Sequence, residues 1–252
     1  MRRIHVITQK EAVKEEKLIG CTAVVIDVFL ATSTIAFLLD HHYGPIYAVK
    51  DSDQALALAA EHKGEFILLG ETNGESIKGF RYPDPCLIEP CQNQEAAIIC
   101  STNGTRAIEK AANAKLLFIS SLVNGHRIAE KIRIQQDGSS IVLICSGNDD
   151  RFSMEDFVGA GQIVKHLTAK GDYLLSDAAK LAKSAYQNSL SNGFKELYEC
   201  ETAELLRKFD FADSMELVVR NHERLDIVPV YEAGKIVDAA AKINSGNGLG
   251  GN

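Results

Sequence analysis

Short runs of aliphatic and β-branched residues alternate with helical patterns from the start of the chain to about residue 170. The strand-like runs are RRIHVIT, CTAVVIDVF, PIYAVK, EFILLG, AAIIC, KLLFIS and SSIVLIC. Helical periodicity appears in STIAFLLDHH, in SDQALALAAEHK, from Thr105 onward, in GHRIAEKIRIQQ, and from Ser153 to about Ala169. Most of the apolar runs are unbroken rather than alternating, the signature of strands buried on both faces. The pattern predicts an α/β fold in which a mixed or mostly parallel sheet is covered by helices.

Beyond Gly171 the chain turns helical, over roughly 176–189, 194–209 and 212–223. The segment LDIVPVYEAGKIVDAA then reads as two short strands about an EAG turn. No Pro-, Gly- or Ser-rich linker intervenes, so residues 1–241 are expected to form a single α/β domain with a helix-rich C-terminal subdomain from about 172. Residues 242–252, rich in Gly and Asn, have nothing to bury and are expected to be a disordered tail.

Charge and composition narrow the function classes. With 27 Lys and Arg against 34 Asp and Glu the net charge is −7, and no block of like charge stands out. Nucleic acid and anionic membranes are therefore unexpected partners. No stretch approaches the roughly 18 apolar residues of a spanning helix, and the basic start lacks a signal-peptide core, so the expectation is a cytoplasmic protein. The six Cys read as reduced thiols. Cys86 and Cys91 lack a second Cys or His pair at suitable spacing, which makes a plain loop the better reading than half a zinc site. Sheet-edge pairing, or a helical interface through 176–222, offers a route to a homodimer.

In open α/β sheets ligands bind beyond the carboxyl ends of the strands, so the polar residues after each apolar run are read together. Asp27 interrupts AVVIDVF and is followed by ATST, which contains Thr32 and Ser33. Glu71 follows ILLG, STNGT follows AIIC, and SGNDDRFSMED follows VLIC. In STNGT, Asn103 and Gly104 permit the tight turn that exposes consecutive N–H groups, and Thr105 opens a helix whose N-terminus favours an anion. The competing reading makes Thr105 an ordinary N-cap. Asp27 is a carboxylate at the end of a buried run, suited to binding Mg²⁺ or to in-line attack, and equally to capping or a salt bridge. Ser153 and Asp156 read as a capping box, which leaves Glu155 free at the helix start. The seven His show no metal-pair spacing, and His126 is the nearest of them to a strand end. A Walker loop and a Gly-x-Ser-x-Gly elbow are absent, and the glycine pattern in the tail follows no strand.

Taken in order, VVIDVFLATSTI, GETNGESIKGF, STNGTRAI and CSGNDDRFSMEDFVGAG resemble the 2-phosphosulfolactate phosphatase family, with the likeness running from about Val24 to Val230. The resemblance implies an α/β fold of its own type and a Mg²⁺-dependent hydrolysis of 2-phospho-3-sulfolactate to 3-sulfolactate and phosphate. In methanogens that step belongs to coenzyme M biosynthesis. Two departures stand out. The family usually has Arg before ATST, where this chain has Leu30, and the run after GF reads RYPDP, with Arg81 where the family has Asp. Leucine cannot replace an Arg fork on a phosphate or sulfonate, so Arg81 is the candidate to restore that charge.

On this basis Asp27, Thr32, Ser33 and Glu71 are the catalytic candidates. Thr102, Asn103, Gly104, Thr105, Arg106, Lys78 and Arg81 are the candidates for a small anionic phosphoester, and Asp27, Glu155 and Asp156 for Mg²⁺. The nucleophile is a water or Asp27 itself. A noncatalytic anion-binding protein, or a phosphatase of another small 2-phosphoester, is the rival reading. A nucleotide-using transferase is disfavoured because no glycine fingerprint follows the first or second strand.

Overall fold

All residues of Thr22–Ile26, Ala96–Cys100 and Ile141–Cys145 are buried, as unbroken aliphatic runs require. The computed structural model describes residues 1–135 and 137–240. Residues 242–252, the expected tail, lie outside the described residues. The strands are β1 (Arg2–Ile7), β2 (Thr22–Ile26), β3 (Ile46–Val49), β4 (Phe66–Thr72), β5 (Glu75–Ser76), β6 (Ala96–Cys100), β7 (Leu116–Ser120), β8 (Ile141–Cys145), β9 (Tyr173–Leu175), β10 (Pro229–Glu232) and β11 (Lys235–Asp238). The helices are α1 (Ala31–Asp40), α2 (Ser52–Glu61), α3 (Gly104–Ala111), α4 (Gly125–Ile134), α5 (Met154–Thr168), α6 (Asp177–Asn192), α7 (Glu201–Lys208) and α8 (Ala212–Arg220).

The strands form one sheet in the order β5-β4-β6-β3-β11-β10-β7-β2-β8-β1-β9. It is mixed and mostly parallel, as the alternation predicts. One parallel block comprises β4, β6 and β3, and the other β7, β2, β8, β1 and β9. Between them lies the β10–β11 hairpin, antiparallel to both neighbours. It meets the blocks through single register pairs, Val230 with Phe118 and Ile236 with Ile46. The two blocks thus run in opposite senses along the ladder. Residues that follow β2 and β8 in one block and β4 and β6 in the other nevertheless line one cleft. Helix α1, buried from Ala31 to Leu39, packs against β7, β10 and β6 and so fills the space between the blocks.

Three local departures from the sequence pattern have physical causes. The region 194–209 divides into a short 3₁₀ turn, Lys195–Glu199, and α7; α6 is closed before it by Gly193 in a left-handed conformation, and Phe194, also left-handed, opens the turn. Helix α8 stops at Arg220, and Glu223 adopts φ 55°, outside the helical region. Tyr173–Leu175 becomes an edge strand on β1, which so short a run did not signal. Among the described residues no helix is long and apolar enough to cross a membrane.

Candidate active site

A cleft of about 300 Å³ opens at the carboxyl ends of β2, β4, β6 and β8. Asp27, Glu71, Asp149 and Glu155 supply its carboxylates, Asn103 its turn, and Arg151 its cation. Helix α7 covers one side with Thr202, Leu205 and Leu206.

Asp27 stands where β2 ends, over the N-terminus of α3. Its carboxylate lies so close to Gly104 that a β-carbon there would sit 2.4 Å from Oδ2. Burial pushes the Asp27 pKa up to about 7, helped by repulsion from Glu155 and Glu71, against a hydrogen bond from the Leu30 backbone and the charge of Lys10. Glu71 is spent on architecture: Oε1 accepts from Thr102 N at 2.6 Å, and Oε2 from Gly74 N at 2.8 Å and Thr102 Oγ1 at 3.1 Å. Glu155 is buried beside the Cys200 thiol, receives Ser153 Oγ at 2.5 Å on Oε1, and leaves Oε2 without a close hydrogen-bond partner among the described residues.

The other expected residues divide sharply. Thr32 is fully buried beneath the cleft; its hydroxyl donates to Asp27 O or Ser120 O, both at 2.6 Å, and accepts from Asp27 N at 2.9 Å. Ser33 donates to Val28 O and is equally buried. Neither lines the cleft; both pin the loop that carries Asp27. The capping box expected of Ser153 and Asp156 does not form. Asp156 instead accepts Val28 N at 2.8 Å and Gly147 N at 3.1 Å, bracing two cleft loops from behind, because two buried N–H groups need acceptors there.

The STNGT turn offers a narrower cradle than its sequence suggests. Thr102 N is taken by Glu71, and Thr105 N by Ser101 Oγ at 3.1 Å, while Ser101 N returns a bond to Thr105 Oγ1 at 2.9 Å. The N–H groups of Asn103 and Gly104 have no such partners among the described residues. The cations expected here lie elsewhere: Lys78, Arg81 and Arg106 are all exposed and none lines the cleft. Arg81 uses its backbone to bond Leu68 and Gly70. It does not replace the missing Arg, and Leu30 itself faces the cleft. His126 packs toward His166, and none of the seven His lines the cleft.

Sequence reasoning passed over three residues. Arg151 follows the two left-handed residues Asp149 and Asp150, φ 49° and 60°, in a tight turn closed by Asn148 and Arg151, and pairs with Glu201 at 2.8 Å. Tyr82 is buried against the cleft and stacks on Phe211, with centroids 3.8 Å apart and planes 8° from parallel. Lys10, only 5% exposed, reaches Asn103 from behind. Arg151 and Lys10 sit among polar residues that read as solvated, and Tyr82 in a Pro-rich loop, so no periodic signal marked them.

The donor set fits a hard cation. It consists of carboxylate oxygens that repel one another, one of them orphaned in the interior. Among the described residues no group of three His, Cys, Asp or Glu is arranged to hold a metal by itself. A cation here would rest on one or two carboxylates and complete its shell with water and ligand oxygens, as Mg²⁺ does.

Buried carboxylates gathered beside a helix N-terminus, beyond the carboxyl ends of the strands of an α/β sheet, define the class as an α/β enzyme fold with its cleft in the usual ligand position. The chain belongs to the 2-phosphosulpholactate phosphatase family, whose sequence profile matches residues 7–234. It is 30% identical over 237 residues to a probable 2-phosphosulfolactate phosphatase of Clostridium novyi, covering 93% of this chain and 99% of that one. It is 29% identical over 239 residues to the similarly named protein of Clostridium beijerinckii, covering 93% and 98%. The corresponding protein of Clostridium tetani is 30% identical over 240 residues, covering 92% and 99%.

Proposed function

We propose that this chain hydrolyses 2-phospho-3-sulfolactate to 3-sulfolactate and phosphate, with Mg²⁺ as cofactor. The observation that carries the reading is the meeting of Asp27 and Glu155 with the Thr102–Asn103 turn in one cleft, with Gly104 at the start of α3 packed against the Asp27 carboxylate. The family membership and the names of the relatives support it.

Asp27 and Glu155 are the residues to hold Mg²⁺, which when bound supplies positive charge to offset that of the phosphoryl oxygens. Asn103 and Gly104 donate to two of those oxygens at the start of α3. Glu71 keeps that turn in place through Thr102, and Asp156, Thr32 and Ser33 keep the Asp27 loop in place. In the net reaction a water oxygen bonds to phosphorus, the bond from phosphorus to the C2 oxygen breaks, and that oxygen leaves as the hydroxyl of 3-sulfolactate. Asp27, beside Gly104, is placed either to take the water proton or to attack phosphorus itself. Arg151 is the cation available for the sulfonate or carboxylate, releasing Glu201 to do so.

Leu30 favours a second reading. An apolar side chain stands in the cleft where the family usually has Arg, so a 2-phosphoester lacking the sulfonate is the alternative substrate. Phosphate release from 2-phospho-3-sulfolactate and from 2-phosphoesters of similar size, with and without Mg²⁺, separates the two. Preference for the sulfonate supports the first reading; preference for an unsulfonated ester supports the second. Silence on the whole panel with folded protein removes both.

A further inference from the structure

A lysine is buried behind the oxyanion turn, and its contacts are specific. Lys10 opens the short 3₁₀ turn Lys10–Ala12 after β1. Its backbone is held at both ends, N to Ser146 O at 3.4 Å and O to Lys110 Nζ at 3.2 Å. Its Nζ lies 2.6 Å from Glu11 Oε1 and donates to Asn103 Oδ1 at 2.8 Å. Burying an ammonium is costly, and an apolar side chain of similar volume would fill the space at lower cost. The charge therefore has work to do at Asn103.

An ammonium only donates, so the Asn103 atom facing it must be the carbonyl oxygen. Asp149 N, at 3.3 Å, gives that oxygen a second donor. Both contacts fix which way round the carboxamide sits, leaving its NH₂ with no partner among the described residues on a residue that lines the cleft. Without Lys10 only the longer contact from Asp149 N remains to hold the amide, which can then more easily turn and present its oxygen, a group that repels a phosphate.

The geometry points to Lys10 as a positioning residue that locks the Asn103 carboxamide with its NH₂ toward the substrate phosphate. This assignment rests on the oxyanion reading of the cleft and deepens it. The ammonium also draws the Asp27 carboxyl toward its charged form, against the larger upward push of burial and of Glu155 and Glu71. In a cleft where Leu30 stands in place of Arg, Lys10 is a buried source of positive charge acting on the Asp27 carboxylate.

The test is a double-mutant cycle read by calorimetric binding of inorganic phosphate and, separately, by turnover. Lys10→Met is made together with Glu11→Gln, so that no buried carboxylate is stranded, and Asn103→Ala is made with and without this pair. The Lys10→Met pair is expected to weaken phosphate binding about ten- to a hundredfold, the range of a hydrogen bond to a charged group. Adding Asn103→Ala then changes little further, because both substitutions remove the same donor. Lys10→Arg is expected to restore most of the affinity. Full additivity of the two losses, or unchanged affinity in the Lys10→Met pair, overturns the assignment. Should that pair fail to fold, Asn103→Ala alone decides: unchanged phosphate affinity overturns the assignment too. Phosphate binding that shows the coupling in a protein without turnover removes the phosphatase reading and keeps this one. A wild-type protein that binds no phosphate removes it.

Discussion

Asp27 and Gly104 approach so closely that no side chain fits between them. A β-carbon on Gly104 would stand 2.4 Å from Asp27 Oδ2 and 2.5 Å from Ala31 Cβ. The glycine is required by this contact rather than by backbone freedom. Gly104→Ala is expected to displace the carboxylate and lower kcat about a hundredfold, the cost of a misplacement near 1 Å. Steady-state phosphate release, with a thermal melt to confirm folding, reads it. A fully active variant would mean the contact is slack.

Asp27→Asn separates the needs of catalysis from those of folding. Burial and the like charge of Glu155 and Glu71 disfavour the ionised form of Asp27. The neutral isostere is expected to lose turnover, by at least about a thousandfold, and to raise the melting temperature measured without Mg²⁺. Loss of both activity and stability would contradict the electrostatic account.

Arg151 lines the cleft and is held only by an exposed pair with Glu201, so breaking that pair is cheap. Arg151→Met is expected to raise KM for 2-phospho-3-sulfolactate about tenfold or more and to leave KM for an unsulfonated phosphoester nearly unchanged. Equal effects on both substrates would place Arg151 on the phosphate instead.

The stack of Tyr82 on Phe211, with Ser214 Oγ donating to Asp84 Oδ1 at 2.6 Å, docks α8 and the loop before it onto the cleft wall. Phe211→Ala is expected to cost about 3 kcal/mol in a urea melt and to raise KM more than it lowers kcat. A lower kcat with unchanged KM would assign Tyr82 a different part.

A carboxylate far from the cleft, Glu223, is expected to contribute to stability in acid. Burial alone would raise its pKa, but hydrogen bonds from His166, at 2.5 Å, from Tyr186, at 2.8 Å, and from Gln162 together hold it well below the usual Glu range. A folded pKa below the unfolded one stabilises above the unfolded value and is lost as the pH falls through the folded one. The wild type is therefore expected to weaken below about pH 4.3. Glu223→Gln should be about 1–3 kcal/mol less stable at neutral pH and lose less on acidification. Parallel stability profiles for the two proteins would exclude Glu223 as the titrating group.

Much of this molecule could be read from its sequence, for definite reasons. Strands β2, β6 and β8 are buried on both faces, and unbroken aliphatic runs announce that. Asp27, Glu71, Glu155 and the STNGT turn follow apolar runs, where chain order alone puts them at the carboxyl edge. Direction was not legible. Arg106 lies within the first turn of α3 yet is exposed, and Lys78 and Arg81 leave the cleft although their loop borders it. Nor could a pattern show that Thr102 N would go to Glu71, or that Asp156 would serve Val28 and Gly147 instead of its own helix. The place of the β10–β11 hairpin depends on Val230 meeting Phe118 and Ile236 meeting Ile46, contacts that no local periodicity encodes.

That hairpin imposes a timetable on the growing chain. Both parallel blocks are made before it, yet the sheet that unites them has a gap until Pro229–Asp238 have left the ribosome. Any half-sheet that forms before then leaves its edge at β3 or β7 unpaired, the condition in which nascent chains associate wrongly. The cleft, drawing on strands from both halves, is completed only when synthesis has passed the hairpin.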